Sequence, residues 1–314
     1  MRVLILGGTG QTGPYAVRRL AALGHEVTVF HRGQHGAELP DGVRVLHGSI
    51  ADPPKMLRQF EPDVVVHMWA MNAAHAAAFL GVFRGFAGRA IVISSGDVYR
   101  AYGKLQGLEQ GDPDPIPLTE DAPLRQSRYP YRGKPAPMED VDQYDKILVE
   151  EALLAQSEMP ATILRYPAVY GPLDYHRMGR WVQEMERSPE IRLQADYGRW
   201  RWTHGYVEDV AESVVLAATH PGAARRIYNV GEAETPTFLE RIEELGRAAA
   251  WPGRIVPTPA EELPDSERLP LDFRHHLAYD TTRIRTELRY QKVVLREEAL
   301  ARTIAWERQT GAVK

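Results

Sequence analysis

The sequence predicts an α/β protein with a doubly wound parallel sheet and a smaller C-terminal α/β domain. A glycine-rich turn at residues 7–13 separates a short apolar run from an amphipathic segment. Short β-branched runs then alternate with helical patterns through the first half of the chain, which is typical of strands joined by crossover helices. The run Val64-Val65-Val66 is apolar without alternation, as expected of a parallel strand buried on both faces.

The elements of the first half follow from these local patterns. Strands are predicted at residues 2–6, 26–31, 44–47, 64–68, 90–94 and 162–165, and helices at 12–23, 55–60, 73–86 and 146–156. Residues 100–138 interrupt the alternation of predicted strands and helices, because they are rich in Pro, Gly, Asp and Arg. Long segments of this kind in compact domains are usually functional lids or disordered, so we treat residues 100–138 as a surface excursion.

The second half has a mixed pattern of elements. Helices are predicted at residues 177–187, 207–219, 238–250 and 296–308, and short strands near 191–193 and 226–230. We therefore divide the chain into a nucleotide-binding domain at residues 1–170, which includes the excursion, and a mainly substrate-binding domain at 171–314. Some segments of the second part are expected to return to the first. The smaller domain would cover the carboxyl ends of the strands, where open α/β sheets bind ligands.

Composition excludes several classes of protein. The chain has 314 residues, of which 44% are hydrophobic and 25% charged, as in an ordinary globular protein. A net charge of −4 gives no basic field for nucleic acid or an anionic membrane. The absence of cysteine excludes disulfides and zinc–thiolate sites, and no metal site is predicted. No apolar run approaches a membrane-spanning length, so we expect a cytoplasmic protein with a small-molecule substrate.

The glycine-rich turn predicts a dinucleotide site of the Rossmann type. Its spacing is Gly-x-Gly-x-x-Gly, directly between a strand and a helix, which is the context that the motif needs. The first glycines permit the tight turn, the middle one lets the backbone approach the phosphates, and the last lets helix and strand pack closely. The helix start then offers free N–H groups to the pyrophosphate. The residues predicted to hold it are Gly7, Thr9, Gly10, Gln11, Thr12 and Gly13.

The end of the second predicted strand indicates which dinucleotide binds. An acidic residue there would hydrogen-bond the ribose of NAD, whereas an arginine would accept the 2′-phosphate of NADP. This chain has His31 and Arg32 at that place. Because a guanidinium matches a phosphate in a bidentate fashion, we predict NADP, with NAD as the alternative.

Several further motifs resemble the extended short-chain dehydrogenase/reductase family, which includes NAD-dependent epimerases and dehydratases. They lie in the family's order along nearly the whole chain. After the glycine-rich turn, these motifs are Ser94-Ser95-Gly96-Asp97-Val98-Tyr99, Lys146 with Glu150, residues 164–172, residues 206–211 and Tyr228-Asn229-Val230-Gly231. The resemblance implies an NAD(P)-dependent epimerase, dehydratase or reductase that acts on a small polar substrate such as a nucleotide-sugar derivative. It also leaves a homodimer open, because the family often dimerises through helices that include the one bearing the lysine.

The resemblance also implies roles for individual residues. Ser95 falls on the family's catalytic Ser/Thr, whose hydroxyl would bind the substrate oxygen. Lys146 falls on the lysine that would hold the nicotinamide ribose and lower the pKa of a neighbouring phenol. Further cofactor contacts would come from residues that follow the third to sixth strands: Ser49, Ile50, Trp69, Ala70, Ser94, Tyr166, Pro167 and Val169.

The chain departs from the family at the catalytic tyrosine. Four residues before Lys146, where the family has that tyrosine, the chain has Asp142. Tyr144 lies only two residues before Lys146, which in a helix is about 200° of rotation, so the two side chains would project from opposite faces. Tyr144 stays a catalytic candidate only if the helix begins late and the local backbone is irregular. Taking Tyr144 as the catalytic tyrosine would put Leu148 in the place of the lysine, and we reject that register.

Three interpretations of this departure stay open. Asp142 could be the general base, or only an ion-pair partner of Lys146 one turn away. Tyr129 or Tyr131 from the excursion could fold over the cofactor and supply the proton. Alternatively, the protein could have kept the cofactor and lost the chemistry, and act as a regulator or interaction module.

The substrate side is indicated by residues 199–204, Arg-Trp-Arg-Trp-Thr-His. In a strand, this alternation would place Arg199 and Arg201 on one face and two indoles on the other. The arginines could bind a diphosphate and the rings a base; a surface strand of stacked Arg–Trp pairs is the alternative. Other predicted substrate contacts are Asp97, Tyr129, Tyr131 and His176.

Overall fold

A computed structural model describes residues 1–33, 36–50, 57, 60–134, 140–174 and 178–311. Its centre is a sheet of seven parallel strands in the order β10-β6-β5-β4-β1-β2-β3. The strands of this sheet are β1 (Arg2–Leu6), β2 (Glu26–His31), β3 (Arg44–His47), β4 (Val64–His67), β5 (Arg89–Ser95), β6 (Ala161–Tyr166) and β10 (Ile227–Asn229). Two parallel pairs lie beside it, formed by β7 (Ala168–Tyr170) with β9 (His204–Tyr206) and by β8 (Glu190–Gln194) with β11 (Arg254–Thr258). The α/β class and the doubly wound parallel sheet are therefore confirmed.

Ten α-helices lie within the described residues. They are α1 (Gly13–Ala22), α2 (Ala73–Phe83), α3 (Arg100–Leu105), α4 (Lys146–Leu154), α5 (Arg180–Arg187), α6 (Ala195–Arg199), α7 (Val207–Thr219), α8 (Phe238–Ala248), α9 (Thr282–Leu288) and α10 (Arg296–Gly311). In the part of the chain that the structure covers, none of these helices combines the length and apolar character that a bilayer crossing requires.

Alternate residues of the central strands face two separate apolar layers. In β1, Val3 and Ile5 pack with helices α1 and α7, whereas Leu4 and Leu6 pack with α2 and α4. This two-sided burial explains why the strands are apolar without alternation. Packing in these layers places the first residues of α1 and α4 at the carboxyl ends of the strands, where the predicted site residues lie.

The excursion is folded against the body of the protein. It begins with α3 and returns through isolated bridges that pair Tyr99 with Leu124 and Leu118 with Tyr279. Glu109 ties it together, because its carboxylate accepts hydrogen bonds from the amide and hydroxyl of Ser127 at 2.9 and 2.6 Å. Residues 135–139 lie outside the described part, as does most of the helix predicted at 55–60.

The predicted strand at residues 199–204 is wrong. Arg199 ends helix α6, and strand β9 begins only at His204. Trp200 is buried, and its indole N–H donates to the His275 carbonyl at 2.9 Å. Its ring packs with Phe238 and Phe273, so the two indoles and two arginines do not line opposite faces of one strand.

Candidate active site

The glycine-rich turn joins β1 to α1 in a conformation that requires glycine at two positions. Gly7 has a φ of +81°, and its amide donates to the Phe30 carbonyl at 2.9 Å. Gly13 packs against the turn so closely that a β-carbon there would lie 2.5 Å from the carbonyl carbon of Gly8. Backbone cannot move away as a flexible side chain can, so the turn and the helix start are locked together.

The outer side of the same turn has room for a ligand. A β-carbon on Gly10 would meet no atom within 4 Å. The side-chain nitrogen of Gln11 is buried and has no hydrogen-bond partner among the described residues. Helix α1 has no acidic residue in its first turn, and the Thr12 side chain makes no capping hydrogen bond. Open space, an unpaired donor and uncapped N–H groups fit the pyrophosphate of a dinucleotide.

The ends of β2 and β3 form the edge of this site. The ring of His31 meets the ring of His47 at 4.7 Å, and His31 Nδ1 accepts the Gly33 amide at 3.2 Å. Burial, followed by the charge of His47, lowers the pKa of His31. Arg32 is exposed at the end of β2, and Ser49 is exposed just after β3. These residues lie at the carboxyl ends of the strands, the edge at which open α/β sheets bind ligands.

Trp69 and Ala70 lie between the glycine-rich turn and the lysine. The Trp69 β-carbon would be 3.4 Å from a β-carbon on Gly7, and 46% of the tryptophan is exposed. The Lys146 ammonium donates to the main-chain carbonyls of Ala70 at 2.7 Å and Ile93 at 2.9 Å. Burial lowers the pKa of Lys146 to about 8. The lysine is thus fixed at the ends of β4 and β5.

Tyr144 lies in the site beside Ser95, contrary to the helical-wheel argument. Helix α4 begins at Lys146, because Asp145 caps it by accepting the Ile147 amide at 3.0 Å. Tyr144 precedes the cap in extended backbone, with φ −61° and ψ 122°. The two residues therefore do not share a helix, and the prediction that their side chains project from opposite faces is wrong. The Lys146 ammonium is 6.0 Å from the centre of the Tyr144 ring.

The phenol of Tyr144 points at the turn that follows β5. Its hydroxyl donates to the Asp97 carboxylate at 2.7 Å, and the nearby Ser95 side chain acts to lower the pKa of the phenol. Ser95 in turn accepts the Asp97 amide at 3.2 Å. Burial, and next the Asp97 charge, raise the pKa of Tyr144 well above its usual 10. Tyr144 is therefore a neutral phenol at neutral pH.

Asp142 lies away from the cluster formed by Tyr144, Asp97 and Ser95. It is exposed in a short 3-10 turn, Val141–Gln143, and its carboxylate accepts the Gly133 amide at 2.7 Å. The prediction that its carboxylate lies one helical turn from Lys146 is wrong, because the helix starts after it.

The two tyrosines proposed from the excursion have different surroundings. Tyr131 reaches the site, where its hydroxyl is 3.4 Å from the Asp97 carboxylate. Tyr129 packs its ring on the Arg132 guanidinium at 3.9 Å, and its amide donates to Asp145 at 2.8 Å. Of these two tyrosines, Tyr131 is the one that contacts the residues following β5.

Sequence reasoning missed three residues that build the cluster. The Tyr102 hydroxyl donates to the Tyr131 hydroxyl at 2.7 Å. Arg125 is fully buried, donates to the main-chain oxygen of Asp97, and pairs with the buried Asp145 at 3.4 Å. Asp145 carried a usable signal, because an aspartate before an apolar helical run is a preferred N-cap and would have placed the helix start at Lys146.

Other predicted cofactor residues have structural partners. Ser94 points away from Ser95, and its hydroxyl donates to Glu150 at 2.5 Å. Glu150 also pairs with Arg165 at 2.7 Å in a buried network. The prediction of Ser94 as a cofactor contact is therefore not supported by its geometry. Among the remaining ones, Ile50 and Tyr166 are half-buried, and Pro167 and Val169 are buried.

The two predicted substrate arginines have different surroundings. Arg199 is exposed at the end of α6, whereas Arg201 donates to the Thr235 carbonyl at 2.6 Å. Their expected shared diphosphate site depended on a strand that does not form. His176 lies outside the described residues.

Comparisons with known proteins agree with this geometry. The model of the NAD dependent epimerase/dehydratase family matches residues 3–231. The chain belongs to this family. The family membership and the parallel sheet confirm the resemblance drawn from the motifs.

Individual relatives carry related activities. The chain is 27% identical over 295 residues to 2′-dehydrokanamycin reductase of Streptomyces kanamyceticus, covering 89% of this chain and 77% of the relative. It is 27% identical over 274 residues to 2-alkyl-3-oxoalkanoate reductase of Stenotrophomonas maltophilia, covering 80% and 77%. Its fold is similar to UDP-glucose 4-epimerase of Thermus thermophilus in complex with NAD, with a TM-score of 0.69, 24% identity, and 99% and 100% coverage.

Proposed function

We propose that the protein is a reductase that uses NADPH in preference to NADH to reduce a carbonyl group of a small, polar, sugar-like substrate. The observation that carries the proposal is the Tyr144 phenol, which donates to Asp97 at 2.7 Å, while the Asp97 amide donates to the Ser95 hydroxyl at 3.2 Å. Both hydroxyls lie beside the carboxyl end of β5, the edge at which open α/β sheets bind ligands. Two hydroxyls that converge there can bind one carbonyl oxygen and protonate it.

Each residue of the cluster has a distinct proposed task. When bound, the cofactor supplies the hydride that the carbonyl carbon accepts. Ser95 would hydrogen-bond the substrate oxygen, and Tyr144 would give that oxygen its proton. Lys146, held by two main-chain carbonyls, would place its positive charge beside the phenol and the nicotinamide ribose.

The protonation state of Tyr144 supports reduction as the working direction. Burial and the Asp97 charge raise its pKa well above 10, so the phenol holds its proton at neutral pH. A neutral phenol is a proton donor, which carbonyl reduction requires. The two reductases among the relatives support the same direction, and the reductase of 2′-dehydrokanamycin supports a sugar-like substrate.

Arg32 supports the choice of NADP. Its guanidinium is exposed at the end of β2, where an acidic residue would favour NAD. The alternative, a regulator that kept the cofactor without chemistry, rested on the missing tyrosine. The position of Tyr144 beside Ser95 favours the enzyme.

The test is cofactor oxidation with a panel of carbonyl substrates. The panel contains nucleoside-diphosphate 4-ketohexoses, ketones of aminocyclitol glycosides and 3-oxo acids, each with NADPH and NADH. We expect turnover that falls by roughly 10²–10⁴-fold in Ser95→Ala and in Tyr144→Phe. The control is Tyr228→Phe, which removes a phenol bonded to Glu287 at the edge strand β10 and should keep the wild-type rate.

Two results would contradict the proposal. One is the absence of NADPH and NADH binding by calorimetry. The other is a Tyr144→Phe variant that reduces the best substrate as fast as the wild type.

A further inference from the structure

The Asp97 carboxyl group is the end point of a chain of phenols. Tyr144 donates to its Oδ2 at 2.7 Å, and Tyr131 donates to the same oxygen at 3.4 Å. Tyr102 donates to Tyr131 at 2.7 Å. Tyr102 and Tyr131 belong to the excursion and Tyr144 precedes helix α4. Every hydrogen bond of the chain runs toward the carboxyl group. Asp97 itself is only 6% exposed.

The second oxygen of this carboxyl group, Asp97 Oδ1, is buried and has no hydrogen-bond partner within the described part of the chain. A buried carboxylate oxygen without a donor is costly unless the group takes up a proton. Burial accordingly raises the pKa of Asp97, although the nearby Arg125 guanidinium and the Tyr144 hydrogen bond oppose the rise.

The other charged and titratable groups around Asp97 leave it as the proton partner of Tyr144. Helix α4 and its cap contribute the Lys146 ammonium and the Asp145 carboxylate. The C-terminal segment contributes Tyr279, whose pKa is raised by burial. Lys146 donates to two carbonyl oxygens, and in its ammonium form it has no lone pair to accept a proton. The Tyr144 and Asp97 oxygens lie 2.7 Å apart, so one hydrogen bond joins the two groups and a proton can pass along it in either direction.

We propose that Asp97 is the acid–base group of the reaction and that Tyr144 relays the proton between Asp97 and the substrate oxygen. This inference rests on the proposed reductase function. In reduction, the Tyr144 O–H bond breaks as a new O–H bond forms on the substrate oxygen. In the acid form of Asp97 this hydrogen bond is reversed: the Tyr144 hydroxyl turns to the substrate oxygen, and the proton on Asp97 Oδ2 passes to the Tyr144 oxygen at the same time. The carbonyl carbon receives the hydride and its electron pair from the dihydronicotinamide, and Asp97 is left as a carboxylate.

The relay avoids a buried phenolate. A Tyr144 phenolate would lie against the Asp97 carboxylate, and two negative charges at hydrogen-bond distance repel each other strongly in a buried site. When the two proton transfers are coupled, Asp97 is the only protein group whose charge changes.

The first test uses the cofactor-free protein and does not depend on turnover. The carboxylic acid carbonyl band of Asp97 is titrated by infrared difference spectroscopy, with Asp97→Asn as the reference that identifies it. Removing a donor to the ionised form raises a carboxyl pKa. We expect the midpoint to rise by about one pH unit in Tyr144→Phe, since a hydrogen bond to a charged group contributes about 1.5–3 kcal/mol. Tyr131→Phe should raise it by less.

The matched control for this titration is Tyr99→Phe. Tyr99 is a buried phenol two residues from Asp97, but its hydroxyl donates to Asn229 at 2.5 Å. Its removal should leave the midpoint unmoved. The proposal is overturned if no carboxylic acid band that is missing in Asp97→Asn titrates in the wild type. It is also overturned if Tyr144→Phe and Tyr99→Phe shift the midpoint equally.

The second test is the pH dependence of kcat/KM for reduction. Because the acid form of Asp97 donates the proton, the rate should fall as pH rises through the infrared midpoint. In Tyr131→Phe, the pH at which kcat/KM falls should move upward together with the infrared midpoint. Circular dichroism checks that Asp97→Asn is folded. In the folded variant, kcat should be lower by roughly 10²–10⁴-fold, and kcat/KM should no longer fall with rising pH.

The outcomes separate the two proposals. If the protein reduces substrate, but kcat/KM falls at the same pH in Asp97→Asn and Tyr131→Phe as in the wild type, the relay is refuted. The proposed reductase function then still stands. A protein that reduces no substrate with either cofactor refutes the reductase, whereas the infrared titration still reports whether Tyr144 and Asp97 share a proton.

Discussion

The Tyr279 hydroxyl packs directly against Gly96, on the turn between Ser95 and Asp97. A β-carbon on Gly96 would overlap both the hydroxyl and the ring of Tyr279. Tyr279 is 3% exposed, and its amide donates to the Thr203 hydroxyl at 2.7 Å. The C-terminal part of the chain therefore covers the turn that carries the proposed reacting groups.

This contact predicts that Gly96→Ala damages activity more than stability alone explains. The methyl group must displace either Tyr279 or the turn, and the turn sets the positions of Ser95 and Asp97. We expect kcat to fall by about 100-fold or more, since misplacement by about 1 Å can cost this much. The double variant Gly96→Ala/Tyr279→Ala should recover part of the loss. Equal kcat in the wild type and Gly96→Ala would show that the contact does not position the turn.

Gly13→Ala should abolish dinucleotide binding. Its β-carbon would lie 2.5 Å from the backbone of Gly8, so the helix start must move away from the phosphate site. We expect the Kd for NADPH, measured by fluorescence titration, to rise by about 100-fold or more, because we propose that the N–H groups of the helix start bind the phosphates. Gly81→Ala is the control, because a β-carbon there meets no atom within 4 Å. That change should leave Kd unaltered and stabilise helix α2 by about 0.5–1 kcal/mol.

Arg32→Ala should change the cofactor preference. A charge-assisted hydrogen bond contributes about 1.5–3 kcal/mol, so kcat/KM for NADPH should fall by roughly 10–100-fold while the value for NADH stays within about twofold. Arg44→Ala, at the opposite end of the neighbouring strand β3, should change neither value. Equal losses with both cofactors would contradict the 2′-phosphate assignment.

Replacing one member of the buried Glu150–Arg165 pair should destabilise the protein more than replacing both. Their closest contact is 2.7 Å, and both side chains are at most 3% exposed. Arg165→Met leaves the carboxylate buried without its partner, and we expect a loss of about 3–5 kcal/mol in the free energy of unfolding by urea. The double variant Glu150→Met/Arg165→Met should lose less. A double variant less stable than Arg165→Met would contradict this account.

His67 should make the protein sensitive to acid. The residue is 4% exposed at the end of β4, and burial lowers its pKa from 6.5 to about 3. Between these two values the unfolded chain binds the proton and the folded one does not, so stability falls as pH decreases below 6.5. At a pH of about 4 this loss is about 3 kcal/mol.

The corresponding measurement is urea unfolding of wild type and His67→Met at neutral pH and at a pH of about 4. We expect His67→Met to lose much less stability between the two pH values than the wild type. His25→Gln, which changes a partly exposed histidine before β2, should retain the wild-type difference. An equal pH dependence in wild type and His67→Met would exclude His67 as the cause.

The sequence by itself determined the sheet and the phosphate-binding turn. Both depend on local chemistry: strands that are apolar on both faces, and glycines whose spacing meets a backbone requirement within one short turn. Gly13 shows this clearly, because its neighbour Gly8 is close in the chain and leaves no space for a side chain. Such requirements can be derived without knowing what else packs nearby.

Only the tertiary structure decided which phenol lies at the site. The argument that Tyr144 and Lys146 project from opposite faces assumed that one helix includes both residues. Asp145 caps the helix, which therefore begins at Lys146. Arg125 from the excursion pairs with the Asp145 carboxylate. Asp97 meets Tyr144 across 47 residues of chain and Tyr131 across 34. Contacts over such separations depend on how the excursion folds back on the sheet, and that depends on buried pairings that local patterns do not reveal.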